Sequence, residues 1–327
     1  MVLRVYSCIE DPKMAKLIKP RALVAGGSVR IVSPASAPER TAFGRGVAEL
    51  ERLEYRVRLA SPEMHADGYF AGPLRKRVAE LQAALLESEG QAILCARGGY
   101  GTASVLEDLA LTRAPRPKLV IGYSDITMLH AYLWQRWRWV TLYGPMVDHG
   151  FDKGVDRPGG YDRVSWFNAA SGAHRQWTIG LGGESLFRGQ ATGTVLGGCL
   201  TLLQTTLGTP WEFDTCGAIL LLEDRGVKPY QLDRMLVHLA QAGKLRGIRG
   251  IVLGEFPDSN PAGESGVTAR DVCRRLLGPL RVPVVLGAAV GHTPRAMLTV
   301  PLGVRARLVA SGEGKLEILE SAVASSR

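Results

Sequence analysis

Lys118-Leu119-Val120-Ile121-Gly122-Tyr123-Ser124-Asp125-Ile126-Thr127 carries a short apolar run straight into Gly-Tyr-Ser-Asp. Met128-Leu129-His130-Ala131-Tyr132-Leu133 follows, apolar at helical spacing. The pattern predicts a buried strand, a sharp turn and a helix. A serine on such a turn has its hydroxyl lifted above the sheet. The peptide N–H groups at the start of the helix then point to where an oxyanion would form. This is not the usual Gly-x-Ser-x-Gly elbow, because Ile126 stands where the second glycine would be. On this segment alone, the commoner role for Ser124 or Asp125 is a helix cap, and that reading leads.

A second segment has the same shape. Ala92-Ile93-Leu94-Cys95-Ala96 reads as a buried strand and ends in Arg97-Gly98-Gly99-Tyr100-Gly101-Thr102. Three glycines in four residues, between a strand and a helix, let backbone approach a ligand closely. No Gly-Lys-[Ser/Thr] follows and the dinucleotide spacing is absent, so a phosphate cradle has little support. The two turns can face each other across one crevice.

Strands and helices alternate through this half. Ser28 to Ala35 reads as a strand, Glu39 to Leu53 as an amphipathic helix and Arg56 to Leu59 as a short strand. Leu74 to Glu89 reads as a helix with Leu74, Val78, Leu81, Leu85 and Leu86 on its apolar face. Such alternation predicts an α/β fold, a parallel sheet with helices on both faces, with ligands at the carboxyl ends of the strands. The expected layout is an N-terminal extension (1–21), a nucleophile-bearing α/β domain (22–165), a Gly- and Pro-rich linker (166–189) and a smaller, β-rich C-terminal α/β domain (190–327).

Composition is compatible with two such domains. The chain has 327 residues, 46% of them hydrophobic, enough for sizeable cores. No apolar run reaches the roughly 18 residues of a membrane span, and Met1 to Pro20 lacks the apolar core of a signal peptide. Cys8, Cys95, Cys199, Cys216 and Cys273 are odd in number and scattered. That favours a reducing, cytoplasmic setting over a disulfide framework, and no Cys/His cluster has zinc spacing. The net charge is +9, from 40 basic and 31 acidic residues. The basic residues are spread; the Arg136/Arg138 cluster interleaved with Trp134, Trp137 and Trp139 reads as arginines snorkelling over tryptophans, not as a nucleic-acid platform.

The second half supplies further polar groups at strand ends. Gly197-Gly198 precedes Cys199-Leu200-Thr201-Leu202-Leu203, another glycine turn running into a helix. Ala218 to Leu222 is an apolar strand ending in Glu223-Asp224, an acidic pair that is costly there unless solvated or paired. Val282 to Val290 leads to Gly291-His292-Thr293. A serine, a carboxylate and a histidine, each at the end of a separate strand, form a candidate constellation. Their order, Ser124, Glu223, His292, is allowed because triads are defined by geometry.

Six segments together resemble the LD-carboxypeptidases, in order and in rough spacing. They are ARGGYGTASVLEDL, IGYSDITMLHAYL, YGPM, GTVLGGCLTLL, LLLEDRGVKPYQLDRML and GHTPRAMLTVPLG, and the resemblance spans about Leu23 to Gly303. That family comprises serine peptidases that trim muropeptides, together with the microcin C self-immunity peptidases. The resemblance implies a Ser124-His292-Glu223 triad without cofactor or metal, and it places Gly197 and Gly198 beside the active site. The oxyanion donors would be the backbone N–H groups of Asp125 and Gly99. The substrate would lie against Arg97, Gly98, Tyr100 and Gly101; Arg97 either meets a terminal carboxylate or braces the turn from behind.

The implied activity is removal of a C-terminal D-Ala from a murein tetrapeptide, by a cytoplasmic and homodimeric enzyme with no nucleic-acid or membrane partner. The alternatives are cleavage of peptide- or aminoacyl-nucleotide conjugates and a non-catalytic ligand-binding relative. Two departures from the family pattern bear on substrate. Val227 stands at the second acidic position of Glu-Asp-x-x-Glu-x-Pro-Tyr, and Thr293 to Pro301 lacks the asparagine found before the Leu-Pro in many members. Asp125 itself is expected to cap its own helix, and Arg234, in the retained Asp233-Arg234, to hold a structural ion pair.

Overall fold

The computed structural model describes residues 17–60, 66–259 and 266–324. Residues 1–16, most of the expected N-terminal extension and Cys8 with it, lie outside these. In the first half, strands β1 (Ser28–Val32), β2 (Arg56–Leu59), β3 (Ala92–Cys95), β4 (Leu119–Gly122) and β5 (Thr141–Tyr143) alternate with helices α1 (Arg40–Arg52), α2 (Leu74–Leu86), α3 (Thr102–Glu107) and α4 (Thr127–Trp137). Helix α5 (Arg163–Ser171) follows. The second half holds β6 (Trp177–Gly180), β7 (Glu184–Phe187), β8 (Gly189–Cys199), α6 (Leu200–Thr205), β9 (Ala218–Glu223), α7 (Pro229–Gln241), β10 (Gly250–Gly254), α8 (Ala269–Leu277), β11 (Val284–Ala288), β12 (Val300–Leu302), β13 (Arg305–Ala310) and β14 (Lys315–Ile318).

The first sheet runs β12-β5-β4-β3-β1-β2. Strands β1 to β5 are mutually parallel, as the alternation predicts, and only β12 is antiparallel. Strand order reverses between β1 and β3, which opens a crevice at their carboxyl ends. The second sheet runs β6-β14-β13-β8-β9-β10-β11-β7. Its centre, β8 to β11, is parallel, and its flanks are antiparallel.

Segment 166–189, expected as a linker, carries the end of α5 and strands β6 and β7, both paired into the second sheet. Strand β12 crosses the other way and completes the first sheet. Short strands between glycines carry little periodicity, which is why they read as connection. The two halves are therefore tied by chain exchange as well as by packing.

The faces of the second sheet follow the two-residue alternation of a strand. Ile219, Leu221, Val252 and Val285 join the core of the first sheet. Leu220, Leu222, Ile251 and Leu253 face the other way, into a second core with Leu232, Leu236 and Leu239 of α7 and Val272 and Cys273 of α8. Val227 is buried in that second core, so this departure from the family pattern is a packing residue.

Three local expectations change. In α2, Leu81 and Leu85 are fully buried, but Leu86 is half exposed and Arg77 is buried instead. Leu86 ends the helix, one residue off the buried stripe. The ion pair at this place in α7 is made by Asp233, with Arg275 of α8, and not by the expected Arg234. Cys95, Cys199 and Cys273 are free and buried, while Cys216 is disulfide-bonded, because sequence spacing does not show which side chains folding brings together. Arg136 and Arg138 stack on Trp137 and Trp134, at 5.4 and 4.9 Å from the ring centroids. Among the described residues no helix is long and apolar enough to cross a membrane.

Gly197 sits inside β8 at φ +137°. A Cβ there would lie 1.9 Å from the Leu221 carbonyl oxygen of β9. Neither strand can yield in the centre of a sheet. Gly197→Ala should therefore destabilise the protein by more than about 2 kcal/mol, measured by urea or thermal unfolding. A variant with wild-type stability and only a raised KM would contradict this and restore a substrate-contact role for Gly197.

Candidate active site

Strand β4 ends at Gly122, Tyr123 is extended, and Ser124 turns into the left-handed region at φ +61°. A non-glycine residue there is strained, and such strain concentrates at sites where a side chain must be presented. A single 3-10 turn, Ser124–Ile126, leads into α4. The turn is held from several sides. Gly122 O accepts from Gly144 N–H at 3.3 Å and lies 2.9 Å from His130 Nε2. Thr127 Oγ1 accepts from Cys199 N–H at 3.0 Å, which joins the start of α4 to the end of β8.

The Asp125 carboxylate caps α3, not its own helix. Its Oδ2 accepts from Thr102 N–H at 2.8 Å. Burial raises the pKa of this group against the lowering effect of that hydrogen bond. Asp125 thus locks the serine turn to the glycine turn beside it.

Close approach is what the glycine turn provides. A Cβ on Gly98 would lie 3.0 Å from Ser124 Cβ and 3.3 Å from its Oγ. Gly99, at φ +96°, has Ser36 Oγ only 2.3 Å from the place of a Cβ. Ser36 N–H donates to Gly98 O at 3.1 Å, and Tyr100 N–H donates to Ser36 Oγ at 3.1 Å. Buried Arg77 braces the turn from behind, donating to Pro34 O at 2.8 Å, Gly101 O at 2.9 Å and Gly72 O at 3.2 Å.

The second sheet brings up the carboxylate and the imidazole. Glu223 ends β9 and is completely buried. Its Oε2 accepts from His292 N–H at 2.9 Å and lies 2.8 Å from His292 Nδ1. Its Oε1 accepts from the Tyr143 hydroxyl at 2.5 Å. Gly291 is required here, because a Cβ on it would lie 2.3 Å from Glu223 Cδ. Burial alone would lower the His292 pKa. The Glu223 charge and hydrogen bond outweigh it, and the imidazole stands above its ordinary 6.5. Asp224, the other half of the acidic pair, accepts from Thr201 N–H and Oγ at 2.8 and 2.7 Å and so caps α6.

Ser124, His292, Gly98, Gly99 and Arg97 line one cleft of about 640 Å³. Arg97 Nη1 stands 3.4 Å from buried Asp148 Oδ2 and remains about one-third exposed. Asp148 also meets His149 Nδ1 at 2.8 Å and Glu39 N–H at 3.2 Å. Arg45, Lys153 and Arg225 complete the basic part of the lining. Tyr100 and Gly101 flank this cleft without lining it; Tyr100 stacks on Phe70 at 5.7 Å between centroids. Gly197 and Gly198 lie behind it, where a Cβ on Gly198 would strike Thr127 Oγ1 at 2.6 Å.

Three contributors escape a sequence reading. Ser36 lay in a segment read only as a strand end. Arg77 is one of the basic residues that the sequence shows as spread along the chain. Tyr143 sat in a motif carried by resemblance alone. The Arg295 departure also finds a place: it pairs with Glu255 at 2.9 Å and donates to Gly182 O at 2.9 Å, bracing the loop that bears His292. Among the described residues no group of three or more His, Cys, Asp or Glu has the arrangement of a metal site. A strained serine, an imidazole in its cleft and a buried carboxylate behind the imidazole can carry out nucleophilic acyl transfer.

Residues 29–144 match the LD-carboxypeptidase N-terminal domain, and residues 192–308 match the LD-carboxypeptidase C-terminal domain. A probable murein peptide carboxypeptidase of Bacillus subtilis is 35% identical over 294 residues, 89% of this chain and 91% of that protein. The muramoyltetrapeptide carboxypeptidase of Oxalobacter formigenes superposes with a TM-score of 0.75 at 25% identity, over 90% of this chain and 99% of that one. The microcin C7 self immunity protein MccF, solved with glutamyl sulfamoyl guanosine, superposes with a TM-score of 0.82 over 94% of this chain and 100% of its own; at 22% identity that likeness speaks for the fold. Both family domains in their order, and a relative matched along nearly its whole length, lead to one conclusion: the chain belongs to the LD-carboxypeptidase family.

Proposed function

We propose that this serine carboxypeptidase hydrolyses the L,D-peptide bond before the C-terminal D-Ala of murein tetrapeptides, through Ser124, His292 and Glu223. The observation that carries the reading is Ser124 and His292 on one cleft, with buried Glu223 behind it 2.8 Å from His292 Nδ1. The relatives named as murein peptide and muramoyltetrapeptide carboxypeptidases support the substrate class.

A carboxylate at Nδ1 fixes the tautomer that leaves Nε2 free to act as base. His292 takes the Ser124 proton as Oγ attacks the scissile carbonyl. The oxyanion faces the N–H groups of Asp125 and Gly99, each donor of this kind being worth roughly 3 kcal/mol. His292 then gives its proton to the leaving amine of D-Ala. Water resolves the acyl-enzyme by the reverse steps. Arg97, beside the glycine turn, meets the free carboxylate of the substrate and restricts cutting to chain ends. A cell-wall recycling role in the cytoplasm as a homodimer follows from the family resemblance. The three buried free thiols are in keeping with a reducing compartment, and the disulfide at Cys216 counts against it.

Ser124→Ala should fold as wild type and lose nearly all release of D-Ala from a tetrapeptide; activity within tenfold of wild type would overturn the mechanism. A C-terminal amide should be cut at least about a hundredfold more slowly than the free acid, the scale of an unmatched buried charge partner, and Arg97→Lys should narrow that ratio. Equal rates on acid and amide would indicate an endopeptidase or amidase. His292 must be neutral to act as base. Because its pKa is raised above 6.5, kcat/KM should rise with pH through a midpoint above 6.5. Glu223→Gln should move that midpoint down, since burial without the charge lowers the imidazole. An unmoved midpoint would remove Glu223 from the site.

A further inference from the structure

We propose that Tyr143 is a positioning residue of this reaction, its single hydroxyl fixing the carboxylate and the nucleophile's turn at once. The inference rests on the Ser124-His292-Glu223 reading. Tyr143 ends β5 in the first sheet and is fully buried. Its hydroxyl donates to Glu223 Oε1 at 2.5 Å, across to the second sheet, and accepts from Ser124 N–H at 3.3 Å. A phenol has one proton to give, and Glu223 receives it; the oxygen lone pairs are then left for the Ser124 amide. Burial and the Glu223 charge push the phenol well above its ordinary range, so the proton stays on it.

Three consequences follow from that placement. Glu223 Oε1 is occupied, so the carboxylate presents Oε2 to His292 and cannot rotate away. The Ser124 amide is already engaged, which leaves the oxyanion to the amides of Asp125 and Gly99. The serine comes from one sheet and the Glu–His pair from the other, and the Tyr143 hydroxyl is hydrogen-bonded to both Ser124 and Glu223. The Gly197-Gly198 pair acquires a role from the same geometry. A Cβ on Gly198 would lie 3.1 Å from Tyr143 Cε2, so glycine leaves the ring its place. The titratable and charged groups around the cluster are Glu223, Asp224, Arg225, Cys199, Tyr123 and His130.

The experiment is the pH dependence of kcat/KM for D-Ala release from a tetrapeptide, with Ser124→Ala as control. In Tyr143→Phe the lost donor leaves more negative charge facing His292, so the acid limb should move up by about half a unit or more. The rate at its plateau should fall roughly tenfold or more with KM little changed. Replacing Tyr143 by 3-fluorotyrosine strengthens the donor at constant shape and should move the limb the other way. Should the phenylalanine variant not fold, the fluorotyrosine shift decides. A lower rate with an unmoved limb in both variants would make the hydroxyl merely structural and overturn the proposal. A wild-type profile in both would overturn it too. If Ser124→Ala remained active, the triad reading would have failed instead.

Discussion

The site depends on one buried charge. Glu223 is completely enclosed between the two sheets, where an unpartnered carboxylate would cost several kcal/mol. Three donors converge on it: the His292 amide, the His292 ring and the Tyr143 hydroxyl. Hydrogen bonds to a charged group are each worth roughly 1.5–3 kcal/mol, so these partners can offset the burial. The same contacts fix the imidazole and tie β5 to β9. Gly291 and Gly254 leave the Glu223 side chain its space, since a Cβ on them would lie 2.3 Å from its Cδ and 2.6 Å from its Cβ. Stability and chemistry therefore draw on the same few atoms.

Around this charge the fold works by exchange. The first sheet takes a strand from the second half of the chain. The first is completed by β12, and the second is flanked by β6 and β7. The serine turn is bound to the glycine turn by the Asp125 cap on α3 and to β8 by Thr127. A left-handed serine is tolerated because its neighbours over-determine it.

Much of this was legible in the sequence. The βα alternation predicted four of the five parallel strands, β5 being too short to show, and the strand ends named Ser124, Glu223 and His292 as residues to watch. Periodicity reports burial on a face, and strand ends report where polar groups gather. The remainder needed three dimensions. Arg77 did not stand out, because a buried arginine looks like any other until the carbonyls it serves are seen. Asp125 read as a cap of its own helix because the competing amide, on Thr102, is 23 residues away. Segment 166–189 read as connection because short strands between glycines carry no periodicity. Gly197 and Gly198 read as a ligand turn, yet they serve sheet packing and the Tyr143 ring.

The account turns on Ser124 being an activated nucleophile. Its most direct test is covalent labelling with an active-site phosphonate, followed by mass spectrometry of the digested protein. The predicted result is one adduct per chain, on the peptide bearing Ser124, formed in step with loss of activity and abolished in His292→Ala. Complete inactivation with the adduct on another residue, or a fully active enzyme carrying a phosphonate on Ser124, would contradict the account.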